Sequence, residues 1–69
     1  MDTPDREHKS LPHALKEVPA TAERRAQWRI CIVDERVGGE LDCPLGSSIA
    51  EAYTLADAHI ATNFPGYTL

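Results

Sequence analysis

Apolar and polar positions change rhythm twice along this chain. From Trp28 to Val33 they alternate, placing Trp28, Ile30 and Ile32 on one face and Arg29, Cys31 and Val33 on the other. A period of two in an aromatic and β-branched run predicts a strand. The turn-rich link Asp34-Glu35-Arg36-Val37-Gly38-Gly39 follows, with paired glycines that accept positive φ at little cost. Glu40 to Cys43 then read as a shorter strand, Leu41 and Cys43 on one face and Glu40 and Asp42 on the other, stopped by Pro44. Together they predict a β-hairpin with a loop of about five or six residues.

The second rhythm is helical. Ser48 and Glu51 stand at N-cap and N3 spacing, a capping box in which each side chain satisfies the other's backbone N–H. Ile49, Ala52, Tyr53, Ala56 and Ile60 then recur on one stripe. Phe64 precedes Pro65, which disfavours helical backbone, so the helix is expected over 48–63. Tyr67-Thr68-Leu69 is expected as an edge strand or a folded-back tail.

Ahead of the hairpin the pattern is weaker. Leu11, Leu15 and Val18 have helical spacing, Ser10 is an acceptable N-cap and Pro12 is tolerated in a first turn. The segment is short for a helix of its own, so a short helix and an extended arm both remain open over 11–18, and 21–27 is ambiguous. Residues 1–10 are charged and lack apolar spacing, which predicts a flexible tail. The expected fold is α+β: a single domain over 11–69, with a small antiparallel hairpin or three-stranded sheet and a C-terminal helix across one face. Its expected core is Trp28, Ile30, Ile32, Leu41, Leu45, Ile49, Ala52, Tyr53, Ala56, Ile60 and Phe64, with Leu11, Leu15 and Val18 covering an end or an edge.

Composition narrows the class. A hydrophobic content of 42% against 26% charged residues fits a folded domain and argues against wholesale disorder. A core in so short a chain rarely supplies more than about 3–5 kcal/mol. Two cysteines among 69 residues are too few for a disulfide scaffold. No apolar run resembles a signal peptide or a membrane span, and the expectation is a soluble cytoplasmic protein.

Charge is unevenly spread. All seven Lys and Arg lie at or before Arg36, where seven of the eleven acids balance them. The net charge of −4 therefore belongs to Glu40, Asp42, Glu51 and Asp57. The helix face opposite the core stripe, Ala50, Glu51, Thr54, Leu55, Asp57, Ala58, Ala61 and Thr62, is nearly uncharged, unlike an ordinary solvent face. This predicts a contact surface for another protein or a second copy, built from Glu40, Asp42, Glu51, Thr54, Leu55, Asp57 and Ala58. An equally weighted reason for such a face is that alanine is the best helix former.

Other chemistry is thin. Arg24, Arg25, Trp28 and Arg29 suggest phosphate gripping and base stacking, but Glu23, Asp34 and Glu35 oppose that charge, so nucleic acid is disfavoured. The acidic half also suggests a mimic of a nucleic-acid backbone that blocks a basic groove, although four acids form a sparse row. Cys31 and Cys43, twelve apart on paired strands, are expected as cross-strand neighbours, either paired in a disulfide or buried as small hydrophobes. With His59 they do not make a zinc pattern. His59 and Cys43 do not demand a nucleophile–base pairing. Gly38-Gly39 does not open a phosphate-binding helix. No cofactor and no enzymatic activity are expected.

The run Trp28 to Ala56, with Gly46-Ser47-Ser48-Ile49-Ala50-Glu51-Ala52 at the helix entry, is similar in order to the start of HicB-type antitoxins. Those have a Gly-Asp-Thr-x-x-Glu-Ala entry and a proline-glycine-cysteine strand region; here Ser replaces Asp, that region is missing, and a capping box accounts for the match. No family is assigned. A small acidic hairpin-plus-helix protein is also similar in kind to the inhibitors made by phages and mobile elements, and the reading is a non-catalytic inhibitor or regulator that binds a partner protein.

Overall fold

In a computed structural model, residues 9–69 are described. Strands β1 (His13–Val18) and β2 (Gln27–Asp34) lead through a 3-10 turn (Glu35–Val37) to β3 (Gly39–Asp42) and helix α1 (Ile49–Asn63). The sheet is antiparallel in the order β1-β2-β3, and α1 packs over the central strand. This is the expected small α+β fold. The tail expected over 1–10 falls mostly on residues 1–8, outside the described residues, while Lys9 and Ser10 are bonded to the C-terminus.

The segment left open between helix and arm is a strand. Residues 11–18 are too few for an autonomous helix, whereas β2 offers them a complete ladder: His13 pairs Ile32, Leu15 pairs Ile30 and Glu17 pairs Trp28. Pro12 is tolerated there as the residue before the strand: its carbonyl accepts the Val33 N–H at 3.1 Å, and it has no N–H to return. The third strand is thus N-terminal. Tyr67–Leu69 is instead a folded-back tail, bridged in parallel to Ser10 through Leu11 N–H to Thr68 O and Thr68 N–H to Lys9 O, both 2.8 Å.

The hairpin register corrects one expectation. Four residues, Glu35–Gly38, connect β2 to β3, fewer than expected. Asp34 caps the 3-10 turn, which ends at Gly38 in the left-handed region, φ 95°. Cys31 therefore pairs Asp42, and Cys43 lies beside Ile30, whose carbonyl accepts its N–H at 3.0 Å. A one-residue shift reverses the face of a side chain. Cys31 and Cys43 point to opposite sides of the sheet and are buried free thiols, so the cross-strand disulfide is excluded by register.

On the helix side Leu11, Ile30, Ile32, Val37, Cys43, Ala56 and Ile60 form the core, with Leu41, Phe64, Tyr67 and Leu69 packed against it. Leu11, expected at an edge, is fully inside, because the tail's backbone bonds close over it. Ala52 and Ala56 let the helix sit close to β2. At the helix entry Gly46 exchanges backbone bonds with Trp28, at 2.7 and 3.0 Å. A Cβ on Gly46 would lie 2.8 Å from the Ala52 nitrogen, so the approach requires glycine.

Four expected core residues are not in the core, Trp28 among them, which is only half-buried. Leu45, Ile49 and Tyr53 are 37%, 47% and 38% exposed, and Leu15 on β1 is 38% exposed. The helix stripe is wider than the strip of sheet beneath it. Its Leu55 and His59 side is half-buried, while its Ile49 and Tyr53 side lies open toward β1.

Candidate functional site

The structure divides the residues expected to form one partner surface. Glu40 and Asp42 project from the sheet face away from α1, by the register that places Leu41 toward the core. There they meet bases: Lys16 Nζ is 3.9 Å from Glu40 and Arg29 is 3.7 Å from Asp42. Such half-exposed pairs contribute little stability, but they cancel charge. Glu51 is occupied at the helix entry, where its Oε1 accepts Ser47 N–H and Ser47 Oγ–H, both at 2.6 Å. These bonds hold its carboxyl below the usual value. The capping box thus closes on Ser47 instead of on Ser48, although Ser48 Oγ accepts Glu51 N–H at 3.0 Å as expected.

Of the remaining members, Leu55 is half-buried. Thr54, Asp57 and Ala58 are exposed on α1, with the Thr54 hydroxyl turned back to the Ala50 carbonyl at 3.1 Å. The sheet lies between these helix residues and Glu40 and Asp42, so the seven do not form one site.

The arginine–tryptophan cluster is also divided. Trp28 is half-buried on the helix side, and Arg29 lies on the far face with Asp42. Arg24 donates to the Pro19 carbonyl at 3.3 Å within the β1–β2 loop, and Arg25 is exposed there.

Neither thiol is prepared for nucleophilic work. Cys31 is fully buried beneath the charged side chains of the far face, and its Sγ–H points to Glu40 at 3.5 Å. Burial, and then bonding to Asp42 and Glu40, raises its pKa; burial likewise raises that of Cys43. Both stay protonated, the reverse of an activated cysteine. His59 Nδ1 lies 3.3 Å from the Asn63 amide, whose nitrogen also donates to the His59 carbonyl. Among the described residues no three His, Cys, Asp or Glu gather as a metal-holding group, and no helix is long and apolar enough to cross a membrane.

What the fold does assemble is an apolar flank at the helix N-terminal end. Ile49 and Tyr53 are one turn apart on α1, and the Tyr53 ring meets His13 of β1 edge-on at 6.1 Å between centroids. Leu15, two residues along β1, lies on the same face of the sheet as His13. Leu45 and the half-buried Trp28 stand at the same end, joined by the Trp28–Gly46 bridge. Sequence reasoning missed this site because each of its helix residues fits the core stripe. The available signal was the stripe's width: five positions, two of them larger than a narrow sheet covers.

The opposite end is closed by Arg36. Its side chain grips Asp34 through two bonds of 2.7 and 2.9 Å, donates to the Ser10 carbonyl at 3.0 Å and lies 5.2 Å from the Tyr67 ring centroid. The guanidinium and the Arg36 N–H hold the Asp34 carboxyl down at about 2.

Comparison with known proteins yields no match, whether to a family model, a curated protein or a solved structure.

Proposed function

We propose that the chain is a non-catalytic protein-interaction module, a small inhibitor or regulator that works by occupying a surface of a partner protein. The observation that carries this reading is the open flank: Leu15, Ile49 and Tyr53 leave large apolar surface in water beside the outer edge of β1, which over His13–Glu17 no strand of the described residues pairs. Grouped exposed apolar residues are the usual mark of an interaction site, and an open edge adds backbone donors and acceptors to it. Asp57, one turn beyond Tyr53, and Thr54 border the flank and give it a polar rim. The contact surface moves accordingly from the outer helix face to the helix side that borders β1. Paired acids at Glu40 and Asp42 weaken the nucleic-acid mimic, and divided Trp28 and Arg29 weaken direct nucleic-acid contact.

The test is capture of partners from lysate by tagged wild type and by Ile49→Glu/Tyr53→Glu, with nuclease and at two salt concentrations. A protein retained by wild type, resistant to nuclease and salt, and lost by the double variant is the expected result. Capture of nucleic acid alone, released by salt, would instead return the reading to the arginine cluster.

A further inference from the structure

We infer that the open flank takes a second copy of this chain, through antiparallel pairing of β1 with its symmetry mate about a two-fold axis. The inference rests on the reading of that flank as a contact surface and names its occupant.

The backbone fixes which groups are free. Pro12 carbonyl accepts Val33 N–H, so even-numbered residues of β1 turn their backbone groups toward β2. Leu11 N–H donates to Thr68 on the other side, so odd-numbered residues turn outward. The C-terminal tail occupies that outer edge at residues 9–11, and Pro19 ends the strand at the other limit. His13, Leu15 and Glu17 are left with outward backbone groups that no strand of the described residues meets.

The side chains select one register. A two-fold axis perpendicular to the sheet, centred on Leu15, pairs Leu15 with its own copy and His13 with Glu17 of the other copy, twice. Every outward group of the three residues is then bonded, and the His13 imidazole of each copy faces the Glu17 carboxylate of the other. Centring the axis on Lys16 sets two lysines opposite each other and Leu15 against Glu17, and like charges in that relation are unfavourable. Centring on Ala14 drives Glu17 into Leu11, whose outward N–H the tail already holds. Only the Leu15 register is self-complementary, which an isologous interface requires.

The helices fit this arrangement. Three strand spacings of about 4.8 Å separate the two β2 strands, roughly 14 Å. A helix with its side chains is about 10–12 Å across. Two copies of α1, each over its own β2, therefore lie side by side on one face of a six-stranded sheet without collision. The seam between them is lined by Leu15, Ile49 and Tyr53 of both copies, the residues that the single chain leaves exposed.

The test is sedimentation of the full chain over a concentration series, alone and as His13→Glu and Glu17→Lys, with circular dichroism to verify that each is folded. Wild type should reach twice 7.6 kDa. His13→Glu sets two carboxylates opposite each other twice, and Glu17→Lys removes the carboxylate that faces His13 twice, so each alone should dimerise about tenfold more weakly or worse. An equimolar mixture of the two variants restores both attractive pairs in the mixed dimer and should recover the wild-type mass, a rescue that a folding defect does not produce. A wild-type chain of 7.6 kDa throughout, variants that dimerise as well as wild type, or a mixture without recovery would each overturn the inference. A monomer that still captures a protein through Ile49 and Tyr53 would overturn the dimer alone and leave the proposed function standing.

Discussion

The two ends of this small sheet are finished differently. At one end Leu11 is sealed beneath the C-terminal tail, Phe64, Tyr67 and Leu69 pack against the core, and Arg36 ties Asp34, Ser10 and Tyr67 together. At the other, α1 begins over Trp28 with Ile49, Tyr53, Leu45 and Leu15 still in water. Both ends carry comparable apolar side chains, so composition does not separate them. Among the described residues, only the first has a segment of chain folded over it. Packing therefore concentrates where residues 9–11 meet the C-terminal tail, and exposed apolar side chains remain at the other end.

The largest effect that would break this contrast is a cavity at the closed end. Leu11→Ala removes a residue only 2% exposed and should cost about 2–5 kcal/mol, enough to unfold a domain of this size. Ile49→Ala, similar in volume lost, should cost less than about 1 kcal/mol, as surface substitutions do. Equal losses of melting temperature in the two variants would show that the open end is packed after all.

Gly46→Ala tests the one tight approach at the open end. Its Cβ would press on the Ala52 nitrogen and the Glu51 backbone, and relieving that contact should cost about 1–3 kcal/mol in chemical denaturation. A neutral result would mean that the helix start can slide away from β2. Ser48→Ala, which removes the hydroxyl accepting Glu51 N–H, should cost about 1 kcal/mol, measurable as a reduced melting temperature.

The closed end should also respond to acid. Asp34 is held near 2 against an ordinary 3.8, so folding favours its charged form. That contribution is present above the ordinary value and is lost as pH falls toward 2. A melting series between pH 4 and 2 should therefore fall more gently for Asp34→Asn than for wild type. Parallel slopes would remove Asp34 from the clamp.

Much of the fold was legible from short-range signals. Trp28 to Val33 alternates without ambiguity, two glycines mark the turn, and Ser48 with Glu51 announces a helix that begins at Ile49. These features depend on backbone propensity, local bonding and periodicity, which neighbouring residues alone determine. Residues 11–18 show the limit. Their leucine and valine spacing suits a helix but their length is short for a helix of their own, so pairing with β2 decided the matter. The site was less legible. Glu40, Asp42 and Asp57 share a sign in the sequence, but the fold pairs two of them with bases on one face and leaves the third on the helix.

By itself, then, the sequence determined the hairpin, the helix with its cap and the alternation that sends Ile30 and Ile32 inward. Tertiary structure decided the register that separates Cys31 from Cys43, the burial of Leu11 and the exposure of Ile49 and Tyr53. The physical reason is that a side chain's periodicity fixes the direction in which it points, while the area it buries depends on whether a distant segment reaches far enough to cover it. Here the tail reaches Leu11 at one end, and at the other no strand of the described residues lies beyond β1.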